Sequence, residues 1–233
     1  MAALKKNIKI YGYQHSSIWR LFLAQFIGKK EESFVPLPHK LITSGPHFAE
    51  LYKKGNIPEH KIVVGGAWRY AHIASNDESG ILAKKRTNSR PIVLISLCID
   101  ISIAQSMLSN IVRMACDNKL ENEMTFWIKT HPGHTKYELN KLNKLVSMYQ
   151  LVNKPFDKLK EDVDIVIYST STIGLEAYLY GKKVVSYIPE NLLAADPLFD
   201  LTDERIYKWF EGEDLKVGFL KNLHSKLDLK KIA

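Results

Sequence analysis

The chain has 233 residues, of which 45% are hydrophobic, 10% aromatic and 25% charged; that balance supports one or two packed cores and excludes disorder or a fibre as the overall state. Its formal net charge of +8 is unevenly held, since residues 1–91 carry 15 Lys/Arg against 6 Asp/Glu and the remainder carry 18 against 19. A basic first part attracts phosphate-rich partners or an anionic membrane face, although charge alone also describes a solvated lysine-rich surface, and no aromatic-interleaved basic motif of a nucleic-acid module is present.

The opening Met-Ala-Ala-Leu-Lys-Lys leads into a short apolar stretch broken by Lys9 and Gln14, which lacks the run of a signal peptide. No later segment is apolar for long enough to span a bilayer. Cys98 in an apolar run and Cys116 in a helical pattern have neither zinc nor disulfide spacing, so both are expected as core thiols in a reducing cytoplasm.

In chain order, β-rich runs alternate with amphipathic stretches, the pattern of a parallel sheet covered on both faces. In the first part the pattern predicts strands at 8–11, 40–43 and 61–64 and helices at 17–27 and 46–54. Residues 76–90 are polar, lack apolar periodicity and end before Pro91, so they read as a linker between a partial N-terminal α/β domain, 1–75, and a C-terminal domain, 91–233. The second domain predicts strands at 92–97, 125–129, 164–168 and 183–187, a short strand near Leu151, and helices at 103–117, 136–148 and 173–180, with a closing C-terminal helix. Ligands of such Rossmann-like sheets lie beyond the carboxyl ends of the strands, which directs attention to the residues after Leu97, Lys129, Tyr168 and Tyr187.

Three suggestive features lie at these places. After Lys129 comes Thr130-His131-Pro132-Gly133-His134, where Pro132 sets a turn and holds His131 at the strand mouth. An imidazole there can donate to a diphosphate oxygen, although a loop histidine beside a turn proline is common. After Tyr168 come four hydroxyls, Ser169, Thr170, Ser171 and Thr172, before a helix opening near Ile173. Hydroxyls and helix-start amides together make an anion site, and an ordinary cap uses only one of the four. Glu176 is expected in that helix's first turn, where the dipole favours a carboxylate and where it can also accept both hydroxyls of a ribose; Gly181 reads as the helix's C-terminal cap.

Thr-His-Pro, then Asp164 through Ala177, then Gly181-Lys-Lys-Val-Val-Ser-Tyr187 resembles, in order and spacing, the C-terminal domain of GT-B glycosyltransferases. Among these it is most similar to the surface-polysaccharide and lipopolysaccharide transferases, including polysialyl- and Kdo-transferase types, and to polyglycerolphosphate polymerases. The resemblance covers roughly residues 90–190 closely and the first part more loosely. It implies that His131, Pro132, Ser169, Ser171 and Thr172 contact donor phosphates and that Glu176 holds the ribose. The donor would be a nucleotide-sugar, CMP- or CDP-linked by preference, bound as substrate without a cofactor. The acceptor would be a surface glycan or lipid-linked chain, reached in the cytoplasm at the inner face of the membrane. Tyr11-Gly-Tyr-Gln-His15-Ser is similar to the Gln-His loops of these enzymes, which makes His15 the catalytic-base candidate. Ser44-Gly45-Pro46 and Gly65-Gly-Ala-Trp-Arg69 resemble their last cleft-facing loops, with Arg69 a possible phosphate contact.

Two departures qualify the resemblance. The N-terminal part is short for a complete domain, so the chain is expected to be a fragment or to need a partner chain to complete it. No glycine occurs from Ile92 through Asn110, which weakens any phosphate role for Ser96 or Ser102. Asp162-Val-Asp164 has metal-ligand spacing but precedes its strand; Asp162 is therefore expected to be exposed, Asp164 to enter the strand, and the chemistry to be metal-independent. A binding-only module and a nucleotide-sugar epimerase remain as alternatives, because one fold hosts all three.

Overall fold

The computed structural model describes residues 6, 8–14, 26–31, 34–74, 90–146, 149–190 and 196–221. The chain divides into two compact units, Met1–Gly80 and Ile81–Ala233. The division falls within the expected linker 76–90, of which all but Arg90 lies outside the described residues, as does most of the expected helix 17–27.

In the first unit β1 (Tyr11–Tyr13), β2 (Lys40–Thr43) and β3 (Ile62–Val64) form a wholly parallel sheet in the order β1-β2-β3. Strand β1 begins later than the apolar run 8–11 implied. Ile10 bonds through its amide to the His39 side chain (2.9 Å) rather than to a ladder, and Ile8 and Ile10 are exposed. Helix α1 (Pro46–Lys54) starts on a proline, whose missing N–H costs nothing in a first turn, and ends on Lys53 and Lys54, which complement the helix dipole. It buries Ala49, Leu51 and Tyr52. Lys61 closes a 3-10 turn, Glu59–Lys61, instead of opening β3. A second 3-10 turn, Trp68–Tyr70, runs into the short α2 (Ala71–Ala74).

The second unit is a six-stranded parallel sheet built from β4 (Ile92–Ser96), β5 (Thr125–Lys129), β6 (Gln150–Leu151), β7 (Ile165–Tyr168), β8 (Lys183–Ile188) and β9 (Ile206–Phe210), in the order β6-β5-β4-β7-β8-β9. Counted along this unit alone, that order is 3-2-1-4-5-6, the doubly wound arrangement, and the direction of winding switches between β4 and β7. Every residue of β4 and β7 is buried, as strands covered on both faces require.

On one face α3 (Ile101–Asp117) lays Ile103, Ala104, Met107, Leu108 and Ile111 against Val93, Ile95, Ile165, Ile167 and Val185. The neighbouring α4 (Lys136–Val146) adds Leu142 to the same core. Helix α5 (Thr172–Leu179) packs against β7 and β8. It ends as expected on Gly181 (φ +74), where the Gly181 and Lys182 amides close onto the Tyr178 and Ala177 carbonyls. Strand β9 was not foreseen, and only Trp209 of its residues is buried. Helix α6 (Val217–Lys221) stands where a closing helix was expected, and the residues after it lie outside those described.

Two expectations about single residues are corrected. Cys98 is buried but Cys116 is exposed, because α3 turns it away from the sheet. Asp162 is half-buried rather than exposed, and Asp164 stands one residue before β7, where its carboxylate accepts the Ile92 amide at 2.8 Å.

Candidate functional site

Three loops leave the carboxyl ends of β4, β5 and β7 and meet around Cys98. His134 from the β5 loop donates Nε2–H to the Cys98 carbonyl (2.9 Å), since a carbonyl can only accept. Its Nδ1 is buried with no partner among the described residues. From the β7 loop, Thr170 hydrogen-bonds the Cys98 thiol, which burial pushes above its ordinary pKa against the weaker pull of that bond. The loops thus close on the switch point of the sheet, the place where a doubly wound fold holds its ligand.

His131 lies in this cluster. The turn set by Pro132 returns the His134 amide to the His131 carbonyl (3.0 Å), and His131 Nδ1 accepts the Gly133 amide (3.0 Å). In the neutral ring the proton is therefore on Nε2, which is left as a donor. Burial first, then His134 at 5.9 Å between ring centroids and Lys129, hold the His131 pKa below 6.5. Lys129 ends β5 and gives its Nζ to the Lys154 carbonyl (2.9 Å). Burial lowers its pKa, and the Glu176 carboxylate opposes that fall. Lys129, at a strand end, is thereby within electrostatic reach of both His131 on the loop and Glu176 on the helix.

The four hydroxyls divide their work. Ser171 is the cap of α5 and accepts the Ile173 amide (3.3 Å); Thr172 is the first helical residue; Thr170 meets Cys98; Ser169 is buried, and its hydroxyl has no partner among the described residues. Glu176 stands in the second turn of α5, not the first, because the helix opens at Thr172 and its first turn holds no acidic residue. Helix α3 starts at the same edge of the sheet in a different state. Asp100 caps it, accepting the Ser102 amide (2.9 Å), the Ser102 hydroxyl (2.5 Å) and the Ile103 amide (3.3 Å). These bonds, the Ser102 hydroxyl first, hold the Asp100 pKa low. A carboxylate closes the start of α3 to anions, while a neutral serine leaves the start of α5 open to them.

Lys129, His134, Cys98 and Asp100 were missed as site residues. An Asp-x-Ser cap before an apolar helix is legible in sequence, but the meeting at Cys98 is tertiary. His15 lies outside the described residues. Arg69 is in the first unit, exposed, with its guanidinium 5.9 Å from the Tyr70 ring centroid. Among the described residues no cluster of three His, Cys, Asp or Glu side chains has metal-holding geometry, and no helix is long and apolar enough to cross a membrane.

Two α/β units of parallel sheet, the second with its loops gathered at a switch point, are the GT-B class of fold. No protein-family model matches the chain, and no curated protein matches it in sequence. Solved structures do match in fold. Anabaena HepE in complex with UDP and glucose is 13% identical with a TM-score of 0.57 over 99% of this chain. The Methanocaldococcus jannaschii UDP-GlcNAc 2-epimerase in complex with UDP-GlcNAc and UDP is 14% identical with a TM-score of 0.61 over 96%. The wall teichoic acid polymerase TagF with CDPG is 13% identical with a TM-score of 0.53 over 94%. The chain spans 65%, 64% and 60% of the lengths of these three structures, respectively.

Proposed function

We propose that the second unit binds a nucleotide-sugar at the carboxyl ends of β4, β5 and β7, and that the chain serves transfer of the sugar to a surface glycan or lipid-linked acceptor. The observation that carries this reading is the difference between the two helix starts beside Cys98, one closed by the charged Asp100 and one capped by the neutral Ser171. The donor phosphates sit over Ser171 and Thr172, with Ser169 behind them and His131 Nε2–H and Pro132 on the opposite wall; Glu176 accepts the ribose hydroxyls. As the bond from the anomeric carbon to the phosphate oxygen breaks, charge grows on the leaving nucleotide. The hydroxyls, the helix amides and the imidazole hold that charge without a covalent intermediate or a metal. His15 is the base that takes the proton from the acceptor hydroxyl as it attacks with inversion, and Arg69 is a further phosphate contact. The basic first part favours an acceptor at an anionic membrane face, on the cytoplasmic side, and a partner chain completes the acceptor side if the first unit alone is insufficient.

The test is calorimetric titration of the chain with CMP, CDP, UDP and GDP, repeated on His131→Ala and Glu176→Ala. Selective binding that both variants lose supports the site and names the base. Retention of full affinity in both variants refutes it. A second reading, nucleotide-sugar epimerase, is favoured by the likeness to the Methanocaldococcus jannaschii epimerase, whose TM-score of 0.61 is above the 0.57 of HepE. Conversion of a nucleotide-sugar in the absence of any acceptor selects it, release of nucleotide only with acceptor selects transfer, and binding without turnover leaves a binding module.

A further inference from the structure

At the carboxyl end of the three-stranded sheet, Tyr13 is the last residue of β1 and Trp68 opens the turn after β3. Their rings stack with centroids 4.8 Å apart and planes 19° from parallel. Three hydrogen bonds fix the pair. The Tyr13 hydroxyl donates to the Gly66 carbonyl (3.2 Å), the Trp68 amide donates to the Tyr13 hydroxyl (3.0 Å), and the indole Nε1–H donates to the Gly65 carbonyl (3.0 Å). Gly66 reaches the required left-handed conformation (φ +88) because it has no side chain.

The indole has thus spent its one polar group and one of its faces inside the unit, yet Trp68 remains 63% exposed. Burial would have gained more, so the ring is held out in one orientation at a cost. What a fixed, flat, electron-rich face attracts is a surface of slightly positive C–H groups. A pyranose presents such a surface, with its hydroxyls at the rim. A membrane surface fits less well, because interfacial tryptophans keep the indole N–H for the headgroup region, and here the N–H is turned inward. The strand ends of a parallel sheet are where a ligand would lie, and the neighbouring Arg69 side chain is exposed and supplies donors for hydroxyls or an acid group.

We propose that Trp68, stacked on Tyr13, is a saccharide platform that seats the terminal pyranose of the acceptor. This rests on the reading above that the second substrate is a glycan, but its test is separate from the nucleotide titration. The full chain is mixed with methyl β-D-galactopyranoside and, separately, methyl β-D-glucopyranoside, and saturation transfer to the sugar ring protons is measured for wild type, Trp68→Phe and Trp68→Ala. Saturable transfer concentrated on one face of the ring is expected, with affinity about three- to tenfold weaker in Trp68→Ala and less reduced in Trp68→Phe, as loss of a ring contact implies. UDP and CDP affinities stay unchanged in both variants. No transfer to either glycoside, or transfer that survives Trp68→Ala in full, overturns the platform even where nucleotide binds normally. So does a Trp68 indole NMR signal that moves only with phosphatidylglycerol vesicles.

Discussion

Gly174 is the tightest joint between the candidate site and the sheet beneath it. A Cβ added there would stand 2.2 Å from Tyr168 Cζ and 2.4 Å from both Cε atoms, and the Tyr168 ring is fully buried. Gly174→Ala therefore pushes the phenol aside, and the phenol is not idle. Its hydroxyl donates to the buried Asp196 carboxylate (2.6 Å), which also accepts the Leu198 amide (2.9 Å) and so fastens the 196–198 turn to β7. Overpacking of this kind costs about 1–3 kcal/mol, and loss of a hydrogen bond to a charged group about 1.5–3 kcal/mol. Against these, alanine gains up to about 1 kcal/mol in helix propensity. The net expectation is a destabilisation of about 2–4 kcal/mol, read as a lower urea midpoint at unchanged slope. Tyr168→Leu removes the obstructing ring, so Gly174→Ala introduced into that background is expected to be neutral or mildly stabilising. A single variant within about 0.5 kcal/mol of wild type, or a double-mutant cycle with no coupling, would refute the steric argument.

Other outcomes follow from the charges and thiols. The Arg205 guanidinium and the Tyr178 hydroxyl hold the Asp203 pKa well below 3.8 (contacts of 2.8–3.0 Å), so the stability it supplies is complete at neutral pH and is lost as pH falls below about 4. Asp203→Asn should lower stability at pH 7 and flatten the acid limb of the stability profile; equal acid limbs contradict this. His131 should titrate below 6.5 in the free chain by NMR, costing stability as pH falls from 6.5 toward its folded value, and saturating CDP or UDP should raise the midpoint. A free-chain midpoint at or above 6.5 removes the burial argument. In the native chain an alkylating reagent should label Cys116 slowly, since partial desolvation first, then the Glu121 and Asp117 carboxylates, raise its pKa, and leave Cys98 untouched until denaturant is added. Labelling of both thiols at one rate, seen by mass spectrometry, would show that Cys98 is not enclosed.

The strands of the second unit were readable because burial on both faces forces unbroken apolar runs such as Ile92-Val-Leu-Ile and Ile165-Val-Ile-Tyr. Strand β9 escaped because an edge strand needs only one inward anchor. Trp209 supplies it, and Lys208 in mid-strand breaks the apolar signal. The site was half readable for a related reason. His131 and the hydroxyl run lie on loops whose turn and cap chemistry is local, whereas the contacts that join them to Cys98 span 36 and 72 residues and leave no periodic trace.

The difference between the two helix starts shows how far local chemistry carries a functional reading. Both α3 and α5 begin at the carboxyl edge of the sheet, and a fold-level argument offers either one to a diphosphate. Their caps distinguish the two. Asp100 spends its charge on three donors of α3 and repels a second anion, whereas Ser171 satisfies only the Ile173 amide and adds no charge. Asp100→Ser would remove the repulsion while keeping a cap, so it tests whether α3 is closed by charge or by shape. Appearance of a second nucleotide or phosphate site in the variant would assign the closure to charge, and the same single site at unchanged affinity would assign it to the glycine-free backbone between Ile92 and Asn110.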